Sequence, residues 1–132
     1  MWNALWIFVG GGLGSVARWG ISGLLANTIG QSFPWGTLFV NMSGSFVIGL
    51  FGTLTGPDGR WLAPAAFRQF FMLGVLGGYT TFSSFSLQTL TLAEDGEWGR
   101  AVANVVLSVV LCLAGVWLGH ILALNLSSAK GD

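Results

Sequence analysis

Long apolar stretches alternate with short polar connections along the whole chain of 132 residues. The apolar stretches cover residues 3–26, 37–54, 67–92 and 101–124. A helix needs about 20 predominantly apolar residues to cross the hydrocarbon core of a bilayer. The pattern therefore predicts an all-α membrane protein with four transmembrane helices. Residues 1–132 are expected to form a single domain, because the connections are too short to hold another.

Charged side chains are rare and lie mostly in the connections. Only 8% of residues are charged and 53% are hydrophobic, with a mean hydropathy of +0.73, whereas ordinary soluble proteins carry about 25% charged residues. This composition argues against a soluble enzyme, and without a basic patch we expect no nucleic-acid partner. A single cysteine and a single histidine argue against an internal disulfide and a metal centre built on such residues.

The basic residues give a weak indication of orientation in the membrane. Four spans place both termini on one side, together with Arg60, Arg68 and Lys130. Arg100 lies on the other side, joined by Arg18 if its long side chain reaches the interface. Cytoplasmic loops carry an excess of Lys and Arg, so the charges alone favour a single orientation. Insertion in both orientations is the alternative, because the difference is small.

Glycines four residues apart recur in all four predicted spans. In a bilayer, small residues let helix backbones approach closely, and packing then supplies the association energy. These pairs are predicted to hold the helices together as a tight bundle. They are Gly10 and Gly14, Gly52 and Gly56, Gly74 and Gly78, and Gly115 and Gly119.

Neutral polar residues form stripes in three of the spans. The stripes are Thr37, Asn41 and Ser45; Asn104, Ser108 and Cys112; and Thr80, Thr81, Ser83, Ser84, Ser86 and Gln88. Such side chains offer hydrogen-bond donors without a formal charge. All five acidic residues lie in connections or in the tail, so the stripes suit an anion path with Arg18 at its mouth. Interhelical hydrogen bonding, worth about 0.6 kcal/mol a pair, is the alternative.

The middle of the third span contains residues that weaken a helix. Residues 77–81 include two glycines and two threonines, and each glycine costs a helix about 1 kcal/mol. The third helix is therefore predicted to be broken at its middle, where freed carbonyls suit a monovalent cation. Phe82 and Phe85 follow on one helical face. Their positive ring edges suit an anion path, and simple packing is the alternative.

Three segments resemble a known family. They are GGLGSVARW at 11–19, PWGTLFVN at 34–41 and GGYTTFSSFS at 77–86. In order and spacing they are similar to the small bacterial fluoride channels of the Fluc or CrcB type, and they are spread over more than half of the chain. The resemblance implies a fluoride-selective channel that exports fluoride passively through the bacterial inner membrane.

The resemblance also implies an assembly and a set of site residues. The assembly is an antiparallel homodimer inserted in both orientations, which reverses the preference that the charges alone indicate. It has two pores and a structural sodium ion (Na⁺) at its centre, held by the backbone carbonyls of Gly77 and Thr80. The fluoride pore is expected to involve Asn41, Phe82, Phe85, Ser83, Ser84, Ser108 and Arg18.

Asn104 and Gln88 depart from the family pattern, since some members have a tyrosine and an acid at these positions.

Other classes of protein fit the sequence less well. A small multidrug-resistance exporter is the alternative function, because it is also short, four-spanning and dimeric. It needs a membrane-embedded glutamate in its first helix, and residues 3–26 contain none. An intramembrane enzyme needs a nucleophile with a base or a metal set, so we expect no enzymatic activity.

Overall fold

The computed structural model describes residues 1–129, and four of its helices are long and apolar enough to cross a membrane. We label Trp2–Ile29 as α1, Trp35–Leu54 as α2 and Trp98–Ser128 as α5, while the third span covers Ala65–Glu94. The predicted all-α fold with four apolar spans is confirmed. Every helix begins one to three residues before its predicted stretch, at Trp2, Trp35, Ala65 and Trp98.

The third span consists of consecutive segments of different helix type. Ala65–Arg68 is α-helical, Gln69–Leu76 is π-helical and Gly77–Tyr79 is α-helical, together labelled α3, and Phe82–Glu94 is labelled α4. Between α3 and α4 lie Thr80, with φ −83° and ψ 159°, and Thr81, with φ −155° and ψ 110°. We call these two residues the extended pair, and they fall within residues 77–81. The sequence pattern did not predict the π-helical segment.

Helix α1 packs against α3 at glycines from both elements. A Cβ added at Gly10 would lie 3.1 Å from the Gly74 Cα, and one added at Gly14 would lie 2.7 Å from the Tyr79 backbone nitrogen. A Cβ at Gly78 would likewise collide with the α1 backbone. The contact therefore excludes side chains, as close packing of membrane helices requires. It holds the end of α3, and with it the extended pair, next to α1.

Helices α2 and α5 form the other close contact. Gly115 and Gly119 face the α2 backbone, where an added Cβ at Gly119 would lie 2.8 Å from a backbone nitrogen. On α2 the closely packed glycine is Gly49, whose added Cβ would lie 3.0 Å from an α5 Cα. The prediction for Gly52 and Gly56 is wrong. Gly52 meets only a flexible methionine end 3.4 Å away and Gly56 only its own segment, because the face that meets α5 passes through Gly49.

Two arginines, one in the second connection and one at the start of α3, donate hydrogen bonds to backbone carbonyl groups. Arg68 donates to the Thr55 carbonyl oxygen and, at 2.8 Å, to the Thr55 Oγ1, while Arg60 donates to the Leu126 carbonyl oxygen at 2.9 Å. These bonds join the end of α2 to the start of α3, and the connection to the end of α5. Lys130, the third basic residue expected on this side, lies outside the described residues.

Candidate functional site

Asn41 holds the extended pair from α2. Its Nδ2 donates to the Thr81 carbonyl oxygen at 2.9 Å, and the Thr81 N–H donates to the Asn41 Oδ1 at 2.7 Å. An amide side chain carries the same donor and acceptor as a peptide group, so it pairs with extended backbone as a neighbouring strand would. Thr81 is only 7% exposed, and its backbone groups would otherwise be buried without partners. One amide hydrogen of Asn41 remains for another partner.

Thr81 also begins α4. Its Oγ1 accepts the Ser84 N–H at 3.2 Å and donates to the Ser84 Oγ at 3.0 Å. The Ser83 Oγ lies 3.3 Å from the same oxygen. Threonine is among the residues that best cap a helix N-terminus in this way. The side chain of Thr81 therefore starts α4, while its backbone is paired with α2.

The end of α3 is tied to both neighbouring helices. The Tyr79 hydroxyl lies 2.8 Å from the Ser43 Oγ on α2, and the Ser15 Oγ on α1 donates to the Gly78 carbonyl oxygen at 3.5 Å. Both bonds lie within two residues of the extended pair. The interruption of the third span is therefore fixed by side chains from α1 and α2.

A cavity of about 430 Å³ lies against the extended pair, between α2, α3, α4 and α5. We call it the phenylalanine cavity. Its lining brings together most of the residues that the sequence singled out: Asn41, Phe82, Phe85 and Ser108, and also Gly77 and Thr80. Within the described residues, the lining contains no acidic or basic side chain. Its polar groups are amide, hydroxyl, thiol and backbone groups.

The two phenylalanines form a tilted pair at the edge of this cavity. Their ring centroids are 5.3 Å apart and their planes meet at 53°. Phe85 is 9% exposed, whereas Phe82 is 79% exposed. In a single chain the phenylalanine cavity is therefore open on the side of Phe82.

A second and larger cavity of about 1010 Å³, which we call the vestibule, is lined by the second half of α1, the connection to α2, the start of α2, α4 and the start of α5. Arg18 lines it, as expected for a residue at the mouth of a path. Asp95, Glu97 and Arg100 line it too, and Glu97 pairs with Arg100 at 3.5 Å. Among residues 1–129, Arg18 makes no ion pair. Its charge is therefore available to an anion that enters the vestibule.

The two cavities share one lining residue, Thr81. Ser84 lines the vestibule, so the predicted pore residues are divided between the two cavities. Ser83 is exposed and lines neither cavity of the single chain. Successive residues of a helix point about 100° apart, and the neighbours of Ser83 take the directions toward the cavities.

A hydrogen-bonded chain links α4 to α5 beside the phenylalanine cavity. Asn104 is 1% exposed and its Nδ2 donates to the Thr89 Oγ1 at 2.9 Å. The Ser108 Oγ donates to the Asn104 Oδ1 at 3.4 Å. The hydroxyl of Ser108 thus has a partner within the chain, and its oxygen still lines the cavity.

Comparison with known proteins decides the family. A family model described as CrcB-like protein, Camphor Resistance (CrcB), matches residues 5–120. The chain belongs to the CrcB family. The family predicted from the three sequence segments is therefore confirmed.

Relatives of this CrcB family protein carry the name Fluoride-specific ion channel FluC. The one from Opitutus terrae is 64% identical over 128 residues, which cover 97% of each chain. The one from Rhodospirillum rubrum is 68% identical over 117 residues, or 89% of this chain and 91% of the relative. The one from Methylocella silvestris is 53% identical over 127 residues. With its four apolar helices, this member of the CrcB family is a multi-pass membrane protein.

Sequence reasoning placed Thr81 of this CrcB family protein in a polar stripe but did not select it as a pore residue. The structure gives it the cap of α4, the pairing with Asn41 and a position on both cavities. One signal was present: a threonine follows a glycine-rich segment and precedes a new helical run, where N-cap residues are expected. The pairing with Asn41 joins residues 40 positions apart, and local sequence patterns carry no information on such a contact.

Proposed function

We propose that this chain forms a fluoride-selective channel, which lets fluoride leave the cytoplasm passively and so lowers its concentration there. One observation carries this proposal: the vestibule shares Thr81 with a cavity that is lined by neutral donors and aromatic rings, without an acidic or basic side chain in its described lining. Neutral donors stabilise an anion without the strong trapping that a full positive charge would cause. The name of the relatives at 64% and 68% identity indicates that the anion is fluoride.

Passive flow is sufficient for export. In acidic surroundings fluoride enters a cell as neutral HF and is trapped inside as the ion, so an uncoupled path for the ion lowers its concentration. Proton-coupled transporters usually carry a buried Asp or Glu, and the phenylalanine cavity has neither in its described lining. We therefore propose a channel without a coupled ion and without enzymatic activity.

The proposed path runs from the vestibule to the phenylalanine cavity. Arg18 attracts the anion at the mouth, and the hydroxyl of Ser84, which accepts from Thr81 and keeps its own proton to donate, replaces part of the hydration shell of the anion. The ring edges of Phe82 and Phe85 and the Ser108 hydroxyl follow. Asn41 contributes through the amide hydrogen that does not bond to Thr81.

We further propose that the channel is an antiparallel homodimer, inserted in both orientations in the bacterial inner membrane. Support comes from the open side of the phenylalanine cavity, where Phe82 is 79% exposed and a second copy would close the path. Such a copy would also bring Ser83 to a pore. The described arginines are balanced, with Arg60 and Arg68 at one end and two others at the vestibule, so the charge bias is small.

A structural sodium ion at the dimer centre is part of this proposal. Gly77 and Thr80 line the phenylalanine cavity at the end of α3, where helix carbonyls have no following turn to bond. Within residues 1–129 no group of three or more His, Cys, Asp or Glu side chains is placed to bind a metal, so backbone carbonyls are the available ligands. When bound, the ion would satisfy these carbonyls in both copies and add positive potential between the two anion paths.

The function is tested by reconstitution. Purified protein is placed in liposomes loaded with potassium fluoride or potassium chloride, and ion-selective electrodes follow efflux after valinomycin is added. Fluoride should leave through protein-containing liposomes and stay in protein-free ones, while chloride stays in both. Equal efflux of fluoride and chloride would rule the proposal out.

A further inference from the structure

We infer that Asn41 and Thr81 are positioning residues for the sodium site, because their side chains hold the two backbone N–H groups that a continuous helix would bond to its carbonyl ligands. The inference rests on the sodium ion of the proposed function. It concerns how this chain keeps the carbonyls of Gly77 and Thr80 free, and it assigns each of them a side chain that does so.

The first diversion is at Gly77. In an uninterrupted α-helix, the carbonyl of residue 77 would accept the N–H of residue 81. Here the Thr81 N–H donates instead to the Asn41 Oδ1 at 2.7 Å. Gly77 is exposed and lines the phenylalanine cavity, and no protein donor to its carbonyl replaces the Thr81 N–H in the described residues.

The second diversion is at Thr80. A continuous helix would give the Thr80 carbonyl the N–H of Ser84. That N–H donates instead to the Thr81 Oγ1 at 3.2 Å. By contrast, the neighbouring carbonyl of Leu76 keeps its helical partner, since it accepts the Thr80 N–H at 3.0 Å. The two carbonyls predicted to bind sodium are thus the two whose expected donors have been taken by side chains.

Removing either side-chain oxygen should restore the competing bond. Thr81 is 7% exposed, and a buried N–H without a partner costs about 1–3 kcal/mol. In a continuous helix, the acceptor for each of these N–H groups is the carbonyl four residues earlier. The helix would then close across the extended pair, and the carbonyl would be lost to the ion.

The experiment compares matched variants by their thermal unfolding in detergent, once in sodium chloride and once in N-methyl-D-glucamine chloride. Thr81→Val removes the hydroxyl and keeps the shape, whereas Thr81→Ser keeps the hydroxyl. Asn41→Leu removes the acceptor, whereas Asn41→Asp keeps it. Thr91→Val is the control, because its hydroxyl donates only to the Leu87 carbonyl within its own helix. Fluoride efflux is measured separately on each variant.

Sodium should raise the unfolding temperature of the unaltered protein, since a ligand that binds only the folded state stabilises it. The shift should persist in Thr81→Ser, Asn41→Asp and Thr91→Val, and it should disappear in Thr81→Val and Asn41→Leu. Asn41→Asp should keep the shift while losing fluoride efflux, because its carboxylate repels the anion. Ion binding and conduction are thereby separated.

Two results would overturn the inference. One is a full sodium shift in both Thr81→Val and Asn41→Leu, which would show that the carbonyls need no diverted donors. The other is an unaltered protein that conducts fluoride but shows no sodium shift, which would remove the site while leaving the channel. If Thr81→Val does not fold in either salt, Asn41→Leu and Asn41→Asp test the inference. If Asn41→Leu does not fold, Thr81→Val and Thr81→Ser test it.

Discussion

Phe82 and Phe85 lie 5.3 Å apart and yet occupy different environments. Phe85 is packed within the chain at 9% exposure, whereas Phe82 projects from it at 79% exposure. Exposure of a large aromatic ring beside a cavity is compatible with lipid contact or with a second copy. In the proposed dimer, one ring would be held by its own chain and the other by the interface.

Replacing Phe82 or Phe85 by isoleucine should reduce fluoride efflux while the protein stays folded. Isoleucine keeps most of the bulk but has no positive ring edge, and an aromatic edge contact is worth about 1 kcal/mol. A barrier raised by about 1 kcal/mol slows flux about fivefold. The measurement is the initial rate of fluoride efflux from liposomes at equal protein density.

Phe8→Ile provides the control for this pair. Phe8 is also highly exposed, at 78%, and lines neither cavity. Its variant should conduct fluoride at the unaltered rate. Unaltered rates in the Phe82 and Phe85 variants would assign both rings to packing alone.

At the scale of the helices, the contact of α1 with α3 sets the position of the extended pair. Gly14 lies against the last residue of α3, where an added Cβ would be 2.7 Å from the Tyr79 nitrogen. Tyr79 in turn lies 2.8 Å from Ser43 of α2. A change at Gly14 therefore reaches the extended pair through the backbone of Tyr79, whose side chain contacts α2.

Gly14→Ala should destabilise the protein although it adds a single methyl group. The neighbouring atoms are backbone and cannot yield cheaply, so the overpacking costs about 2 kcal/mol. Gly20→Ala is the matched control on the same helix, since no atom lies within 4 Å of its added Cβ. Alanine there should be neutral or stabilising by up to about 1 kcal/mol. Thermal unfolding in detergent measures both, and equal midpoints would contradict the packing described for Gly14.

The helices could be predicted from the sequence to a useful degree, and their contacts could not. Hydropathy depends on composition alone, so the four spans followed from it. The choice of Gly49 over Gly52 depends on which face of α2 meets α5, and that is decided by tertiary packing. The π-helical segment Gln69–Leu76 also escaped prediction, because its hydrogen bonds to the fifth residue have no sequence signature as clear as the α-helical period.

The same distinction between sequence pattern and tertiary contact applies to the candidate site. Residues of unusual chemistry in an apolar span, such as Asn41 and the two phenylalanines, could be recognised from the sequence because polar or paired aromatic groups are conspicuous there. The partners of Asn41 could not be recognised. Its amide was expected to line the anion path, with interhelical hydrogen bonding as the alternative, and the structure uses its oxygen and one of its hydrogens for the backbone of Thr81.

The whole molecule carries a small charge difference between its two ends. Arg60 and Arg68 lie at the end opposite the vestibule, which holds Arg18 and Arg100. Orientation follows the Lys and Arg bias of short loops, and with Lys130 counted the bias is only three basic residues against two. The same chain is therefore expected to insert either way.

A single cysteine should report both orientations. Ser128→Cys in a Cys112→Ser background places one thiol at the exposed end of α5. An impermeant thiol reagent applied to intact cells should label about half of the protein, and the rest should react only after the cells are opened. Labelling that is complete, or completely absent, before opening would mean one orientation and contradict the prediction.

Thr81 borders both cavities, caps α4 and pairs its backbone with α2. The consequence is evolutionary. In the proposed channel, a substitution of Thr81 must preserve both folding and permeation, and few side chains meet both requirements. In the proposed channel, adaptation of the path to a different anion is therefore expected to proceed through residues that line one cavity only, such as Ser84 in the vestibule or Phe85 in the phenylalanine cavity. We therefore expect Thr81 to vary less among related sequences than the other residues of the proposed path.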